Sequence, residues 1–277
     1  MTDKPFVIGV GLPRTGTDSL RTALEKIYGR THHMKEVMPP FAANRHNMDK
    51  FTIMVYQKLG LELRSFDGVQ AMKECMKGYA AAVDAPTCFF YKELMEAFPN
   101  HKIVYSVRDN EKAWSKSVGG TFPKMKLLQT VKTDPIISAV IKYFGFMSLL
   151  SPSVAQFMQA HDWLFEKFGL MTNTNNDTCL NGSNESNFSA EGAERFYLEW
   201  DKKIMEEFQG NPNFLRFNAK DGYEPLCKLL GVPVPSESFP RVNSTKELLK
   251  VASFLKSGQI LVCVVFTVFF AVLIKVF

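Results

Sequence analysis

The chain reads as an α/β protein: a P-loop-like parallel sheet flanked by helices, followed by a C-terminal transmembrane helix. Three observations lead there. An apolar run, Phe6–Val10, enters a glycine-containing turn, Gly11–Gly16, and then a helical pattern from Ser19 to Ile27. Further strand-like runs, one at 102–107 and one at 214–217, alternate with helical stretches, as a helix-covered parallel sheet requires. From Ile260 to Ile274 only Thr267 interrupts an apolar run.

The elements follow in order. The first strand, 6–10, is a short apolar run. The helix after the turn covers about 17–28. A mixed helical stretch is expected to about 78, then a short strand at 79–83 and a helix at 89–97. A strand at 102–107 and a helix at 110–118 come next. Long helical patterns occupy 133–149 and 152–169; the Met, Phe and Leu content of 125–170 suits a lid over an apolar pocket, or plain helix packing. Residues 172–189 are Asn- and Ser-rich and are expected to be a disordered insertion. A helix over 190–208 leads to a last strand, Phe214–Phe217, a helix over 223–230, and a helix over 244–256. The α/β domain therefore spans 1–245, with 246–256 beside the membrane and 257–277 as the anchor.

Composition narrows the function classes. Hydrophobic residues make up 46% of the 277, and aromatics 13%, enough to fill a core and too many for a disordered chain. The net charge of +5 suits an anionic substrate or an anionic membrane surface, and is too small and too scattered for nucleic acid. The five cysteines, at 75, 88, 179, 227 and 263, show no CxxC pairing and no metal-like spacing with the five histidines. No metal is expected, and the thiols suit a reducing compartment.

The strand beginning at Phe6 leaves no room for a signal peptide. Ser257 to Phe277 is 21 residues, on the order of 30 Å as a helix, which spans a bilayer core. A helix apolar all round is hard to bury in a domain of this size. Lys246, Lys250 and Lys256 precede it, and Lys275 can snorkel to the far interface. A span this close to the end inserts after synthesis, so a single-pass C-terminal anchor with a cytosolic domain is expected. Sequons at Asn176, Asn181, Asn184, Asn187 and Asn243 point the other way; an Asn/Ser/Thr-rich loop also generates them by chance.

A strand, a glycine turn and a helix N-terminus together form a phosphate cradle, because backbone N–H groups and the helix dipole both favour an anion. Gly11 and Gly16 sit five apart, as in a P-loop. An NTPase then carries Lys and Ser/Thr, whereas this chain has Thr17 and Asp18. The nearby cation is Arg14, inside the loop.

Pro13-Arg-Thr-Gly-Thr17 resembles the 5′-phosphosulfate loop, P-K-S-G-T, of the sulfotransferases that use 3′-phosphoadenosine 5′-phosphosulfate (PAPS), with Arg14 in the lysine position. The wording GLPRTGTxSL is most similar to the branch that includes the drug-activating sulfotransferase of schistosomes. Ala82–Met95 resembles that branch's central segment. Val104-Tyr-Ser-Val-Arg-Asp109 with Trp114 and Ser117 resembles the 3′-phosphate motif. Asp221–Pro235 with Phe239–Asn243 resembles its C-terminal signature. The resemblance covers about residues 6 to 245.

The resemblance implies PAPS as co-substrate and a sheet-edge site. Arg14 would hold the 5′-phosphate and bridging oxygen as an electrostatic catalyst. The N–H groups of Thr15, Gly16, Thr17 and Asp18, with the Thr17 and Ser19 hydroxyls, would complete the cradle; the Asp18 side chain is expected to face solvent. Arg108 and Ser117, with Ser115 as the alternative, would take the 3′-phosphate; Arg108 paired with Asp109 is the bland reading. Asp84 is the implied general base, or else a turn-forming Asp before Pro86. Many family members use a histidine base, so His33, in a His-Met dipeptide, is a second candidate beside a simple core role. Asn218, Lys220 and Tyr223 would border the nucleotide, Tyr223 standing where the branch has Trp. The family's R-K-G loop is missing; Arg241 and Asn243 occupy that region.

The reading is sulfuryl transfer from PAPS to a hydroxyl or amine of a small, mostly apolar acceptor, with membrane lipid as a further partner. The alternatives are a membrane-anchored nucleotide-binding scaffold that has lost catalysis, and a P-loop kinase, which the missing Walker lysine disfavours.

Overall fold

The computed structural model describes residues 4–36, 68–85, 87–121 and 189–242. Five parallel strands form one sheet in the order β2-β3-β1-β4-β5. They are β1 (Phe6–Gly9), β2 (Thr31–His32), β3 (Ala81–Ala82), β4 (His101–Ser106) and β5 (Phe214–Phe217). The helices are α1 (Thr17–Ile27), α2 (Gly68–Cys75), α3 (Tyr91–Ala97), α4 (Glu111–Gly119), α5 (Ala190–Glu207) and α6 (Glu224–Leu230). Short 3-10 turns lie at Met34–Glu36, Thr87–Phe90 and Ala219–Asp221.

Parallel order forces crossovers, and the helices that make them cover the sheet. Val7, Val104 and Phe217 pack on Leu20, Ala23 and Leu24 of α1 and Leu226 and Cys227 of α6. Side chains alternate along a strand, so Ile8, Ile103 and Tyr105, all fully buried, point the other way. Aromatic side chains of α5 build a second cluster: Trp200 meets Phe89, Tyr91 and Phe196, and Trp114 meets Phe196 and Tyr197. A lone strand pair would be marginal; this sheet is stabilised by burial on both faces, roughly 25 cal/mol per Å² of apolar surface.

Register decides what meets at the sheet's C-terminal edge. Thr31 pairs with Ala81 and Ile8 with both Ala82 and Ile103. The residues that follow β1, β2, β3 and β4 therefore emerge side by side.

The parallel α/β architecture is as expected, and β5 falls on 214–217. The differences are local. Strand β3 keeps two residues rather than five, because the chain turns sharply at Asp84. The helix expected from 89 opens as a 3-10 turn at Thr87. The expected helical stretch to 78 hides β2: two residues carry no periodicity, and only pairing with β3 defines them. Cys75, Cys88 and Cys227 are buried and form no disulfide among the described residues. Among the described residues no helix is long and apolar enough to cross a membrane. The apolar run at 257–277, the 244–256 helix, the 125–170 lid, Asn243, and residues 172–188 with their sequons lie outside the described residues.

Candidate active site

The loop between β1 and α1 is held by its carbonyls. Trp200 Nε1–H donates to Val10 O at 3.0 Å and Trp114 Nε1–H to Pro13 O at 2.8 Å. Arg108 Nε–H donates to Arg14 O at 2.6 Å, and Thr15 Oγ1–H to Leu12 O at 2.7 Å. Gly11 must be glycine, because a Cβ there would lie 2.0 Å from Ser106 Oγ. Gly16 takes φ 93°, the left-handed region that favours glycine, and caps α1 without any side-chain hydrogen bond. Carbonyls tied outward and first-turn N–H groups without a side-chain cap are what an anion at a helix N-terminus needs.

Two cations converge beside this loop. Arg14 adopts φ 73°, and its Nε–H donates to Ser117 Oγ at 3.3 Å. Arg108 follows β4, and one of its terminal nitrogens reaches the same Ser117 Oγ at 3.5 Å. Tyr197 Oη accepts from Arg108 N–H at 3.0 Å and so fixes the backbone there. Burial pushes the Arg14 guanidinium below its usual value; Asp84 raises it and Arg108 lowers it further. Burial lowers Arg108 as well. Arg108 makes no ion pair among the described residues. The carboxylate of Asp109 instead accepts from Lys220 Nζ and from Asn218 Nδ2 at 3.1 Å. Two like charges sharing one neutral hydroxyl favour an anion between them, so a phosphorylated ligand fits this donor set.

A third group sits at the ends of β2 and β3. Asp84, at φ 75°, is 7% exposed. Its backbone carbonyl accepts from Cys88 N–H at 2.9 Å and Thr87 Oγ1–H at 2.8 Å. Its side chain accepts from Thr17 Oγ1–H at 3.0 Å through Oδ1, while Oδ2 lies 3.3 Å from His33 Nε2. His33 Nε2 is also 3.3 Å from Thr17 Oγ1. Burial pushes the His33 imidazole down, with the charges of Asp84 and Asp18 opposing. Asp84, His33 and Thr17 thus form one buried cluster that ends at the first residue of α1.

Asp18 requires a correction. Its side chain does not face solvent: it is buried, with Lys35 Nζ at 2.6 Å and Arg21 Nε at 3.2 Å. Lys35, 17 residues on, folds back over the start of α1, which local periodicity cannot signal. Burial pushes the Asp18 carboxyl up, but the Lys35 hydrogen bond and neighbouring cations outweigh it and hold it below the usual value.

The remaining residues divide. Thr15 N–H turns back onto Leu12 O at 3.2 Å and its hydroxyl touches Ser106 Oγ at 2.8 Å, so Thr15 builds the loop. Ser19 Oγ accepts from Val242 N–H at 3.0 Å. Ser115 Oγ–H donates to Ala190 O at 3.1 Å, away from Ser117. Asn218 and Lys220 flank Ala219, whose Cβ lies 3.6 Å from where a Gly16 Cβ would be. Tyr223 is not brought to the loop; it packs in the core against Phe217 and Phe239, and its hydroxyl has no hydrogen bond among the described residues. Arg241 is exposed. Pattern reading missed Lys35, Tyr197 and Trp200. A buried indole N–H that must find an acceptor was the available signal for Trp200.

Fold and site together define an α/β protein whose β1–α1 loop, at the sheet edge, presents an uncapped helix N-terminus beside two guanidinium groups. The model of the sulfotransferase domain family matches residues 6–248, and the chain belongs to that family. It is similar to "Ava biosynthesis cluster protein M" of Aspergillus versicolor, 23% identical over 239 residues, which cover 85% of this chain and 80% of that protein.

Proposed function

We propose that the chain transfers a sulfuryl group from PAPS to a hydroxyl or amine of a small, mostly apolar acceptor. The observation that carries this reading is the meeting of Arg14 and Arg108 at Ser117 Oγ beside the loop that leads into α1. When bound, PAPS supplies the sulfuryl group and a 5′-phosphate leaving group. Arg14 and the N–H groups of Gly16, Thr17 and Asp18 hold the 5′-phosphate and neutralise charge as it develops there. Arg108 and Ser117 hold the 3′-phosphate. Asp84 takes the acceptor's proton: each of its carboxylate oxygens has a lone pair left beyond the Thr17 and His33 contacts. Asn218 and Lys220 border the nucleotide. The relative's name, which refers to a biosynthesis cluster, accords with a small-molecule acceptor, and the wording of the loop favours the GLPRTGTxSL branch.

We also propose that residues 257–277 anchor the chain in a membrane with the α/β domain in the cytosol, on the strength of the apolar run from Ile260 to Ile274, interrupted only by Thr267, and its flanking lysines. Alkaline carbonate washing of membranes should leave the full chain in the pellet; release into the supernatant would sink the anchor.

The test of the activity is transfer of labelled sulfate from PAPS into a mixed lipid and metabolite extract. A labelled product is expected. Nucleotide binding without any product would replace the enzyme with a scaffold.

A further inference from the structure

The orientation of the Asp84 carboxylate traces back to a surface turn. Lys35 N–H donates to His33 Nδ1 at 3.2 Å. A ring nitrogen that accepts has no proton, so in the neutral imidazole the proton is on Nε2. That nitrogen faces Asp84 Oδ2 and Thr17 Oγ1, both at 3.3 Å. The 3-10 turn carrying Lys35 is itself fastened to α1, because Lys35 Nζ holds Asp18 Oδ2 at 2.6 Å and Arg21 holds the other carboxylate oxygen at 3.2 Å. The turn also closes through Glu36 N–H to His33 O at 2.8 Å. The chain of contacts runs Asp18, Lys35, His33, Asp84.

We propose that Asp18 and Lys35 are positioning residues that fix His33 as a neutral Nε2–H donor, and that His33 orients Asp84 rather than accepting the substrate proton. This rests on the reading of Asp84 as the proton acceptor. It also gives Asp18 a purpose that a phosphate loop does not supply: a carboxylate beside an anion site is unfavourable for the anion, and here it holds the turn that sets the tautomer.

Two measurements on the full-length protein test it. Nitrogen NMR of the labelled imidazole at pH 7 should show His33 unprotonated at Nδ1 and protonated at Nε2. An Nδ1-protonated ring or an imidazolium would overturn the proposal, whatever the activity proves to be. In sulfate transfer, His33→Gln keeps an N–H donor near the Nε2 position and His33→Leu does not. The Leu variant removes both the Nε2 contact with Asp84 Oδ2 and the hydrogen bond to Thr17 Oγ1, which itself donates to Asp84 Oδ1; it should lose about 10- to 100-fold in kcat, while His33→Gln retains most activity. Equal loss in both would make His33 the base and overturn the proposal. Asp18→Asn should lower kcat by about three- to tenfold with the PAPS KM unchanged or lower, since a negative charge near the anion is gone. A rise in KM with kcat intact would make Asp18 a nucleotide-site residue only. Binding of 3′-phosphoadenosine 5′-phosphate by each variant confirms that it is folded. A wild-type chain that transfers no sulfate defeats the reading of Asp84, while the imidazole spectrum still decides the tautomer.

Discussion

Arg14 and Asp84 are the non-glycine residues with left-handed backbone among the described ones, at φ 73° and 75°. Each follows a strand of the same sheet, and each such residue costs on the order of 1–3 kcal/mol that its surroundings must offset. The surroundings differ in kind. Around Arg14 the protein grips the main chain: Arg108 holds its carbonyl, and Trp114 holds that of Pro13. The guanidinium shares a hydroxyl with a second guanidinium. Around Asp84 the protein grips both main chain and side chain, the carboxylate meeting Thr17 and His33. One region gathers two positive charges at a single hydroxyl, and the other holds a carboxylate in a fixed direction. Thr17, the first residue of α1, belongs to both.

Disabling one region should leave the other intact. Asp84→Asn is expected to lower kcat by about 10²- to 10⁴-fold while calorimetry shows nucleotide binding unchanged. Loss of binding would mean the two regions are one.

The Asp84 side should also be the pH-sensitive one. Burial, with help from His33, holds His32 down to about 4, and burial lowers His33 too. A histidine lowered by folding contributes stability in full above its unfolded value of about 6.5, and the contribution is lost as pH falls through the folded value. Denaturant melts should therefore show stability falling between about pH 6.5 and pH 4. His32 accounts for about 3 kcal/mol across that window. His32→Phe should flatten the profile, and a wild-type profile already flat would contradict the account.

These two regions were unequally legible in the sequence. The Arg14 loop was readable because strand, glycine turn and helix are consecutive, and Arg108 because it ends an unmistakable strand. The contact between them joins residues 94 apart, and only the sheet-edge rule hinted at it. The sequence marks Asp84 as a strand end, but its meeting with His33 depends on β2, two residues without periodicity. The burial of Asp18 depends on Lys35 returning from outside the helix. Where a feature is made by neighbours in the chain, pattern finds it; where it is made by register between short strands, pattern does not.

Two smaller effects should separate the loop from the core beneath it. Trp114→Phe leaves Pro13 O without its donor and should cost about 1–3 kcal/mol, read by denaturation, with weaker nucleotide binding as well. Unchanged binding would show that the loop needs no such grip. Tyr223→Phe removes a hydroxyl that has no partner among the described residues. It should change stability by less than about 1 kcal/mol, toward greater stability, and leave affinity alone. A clear loss of affinity would return Tyr223 to the nucleotide site.

In the proposed function Arg14 and Arg108 hold two phosphates of one nucleotide. Its most direct test is calorimetry of the full chain with 3′-phosphoadenosine 5′-phosphate and with ADP. The 3′-phosphate should strengthen binding by about 100-fold, as two charged hydrogen bonds imply, and Arg108→Ala should abolish the difference. Equal affinity for the two nucleotides, or a preference for ADP with magnesium, would contradict it.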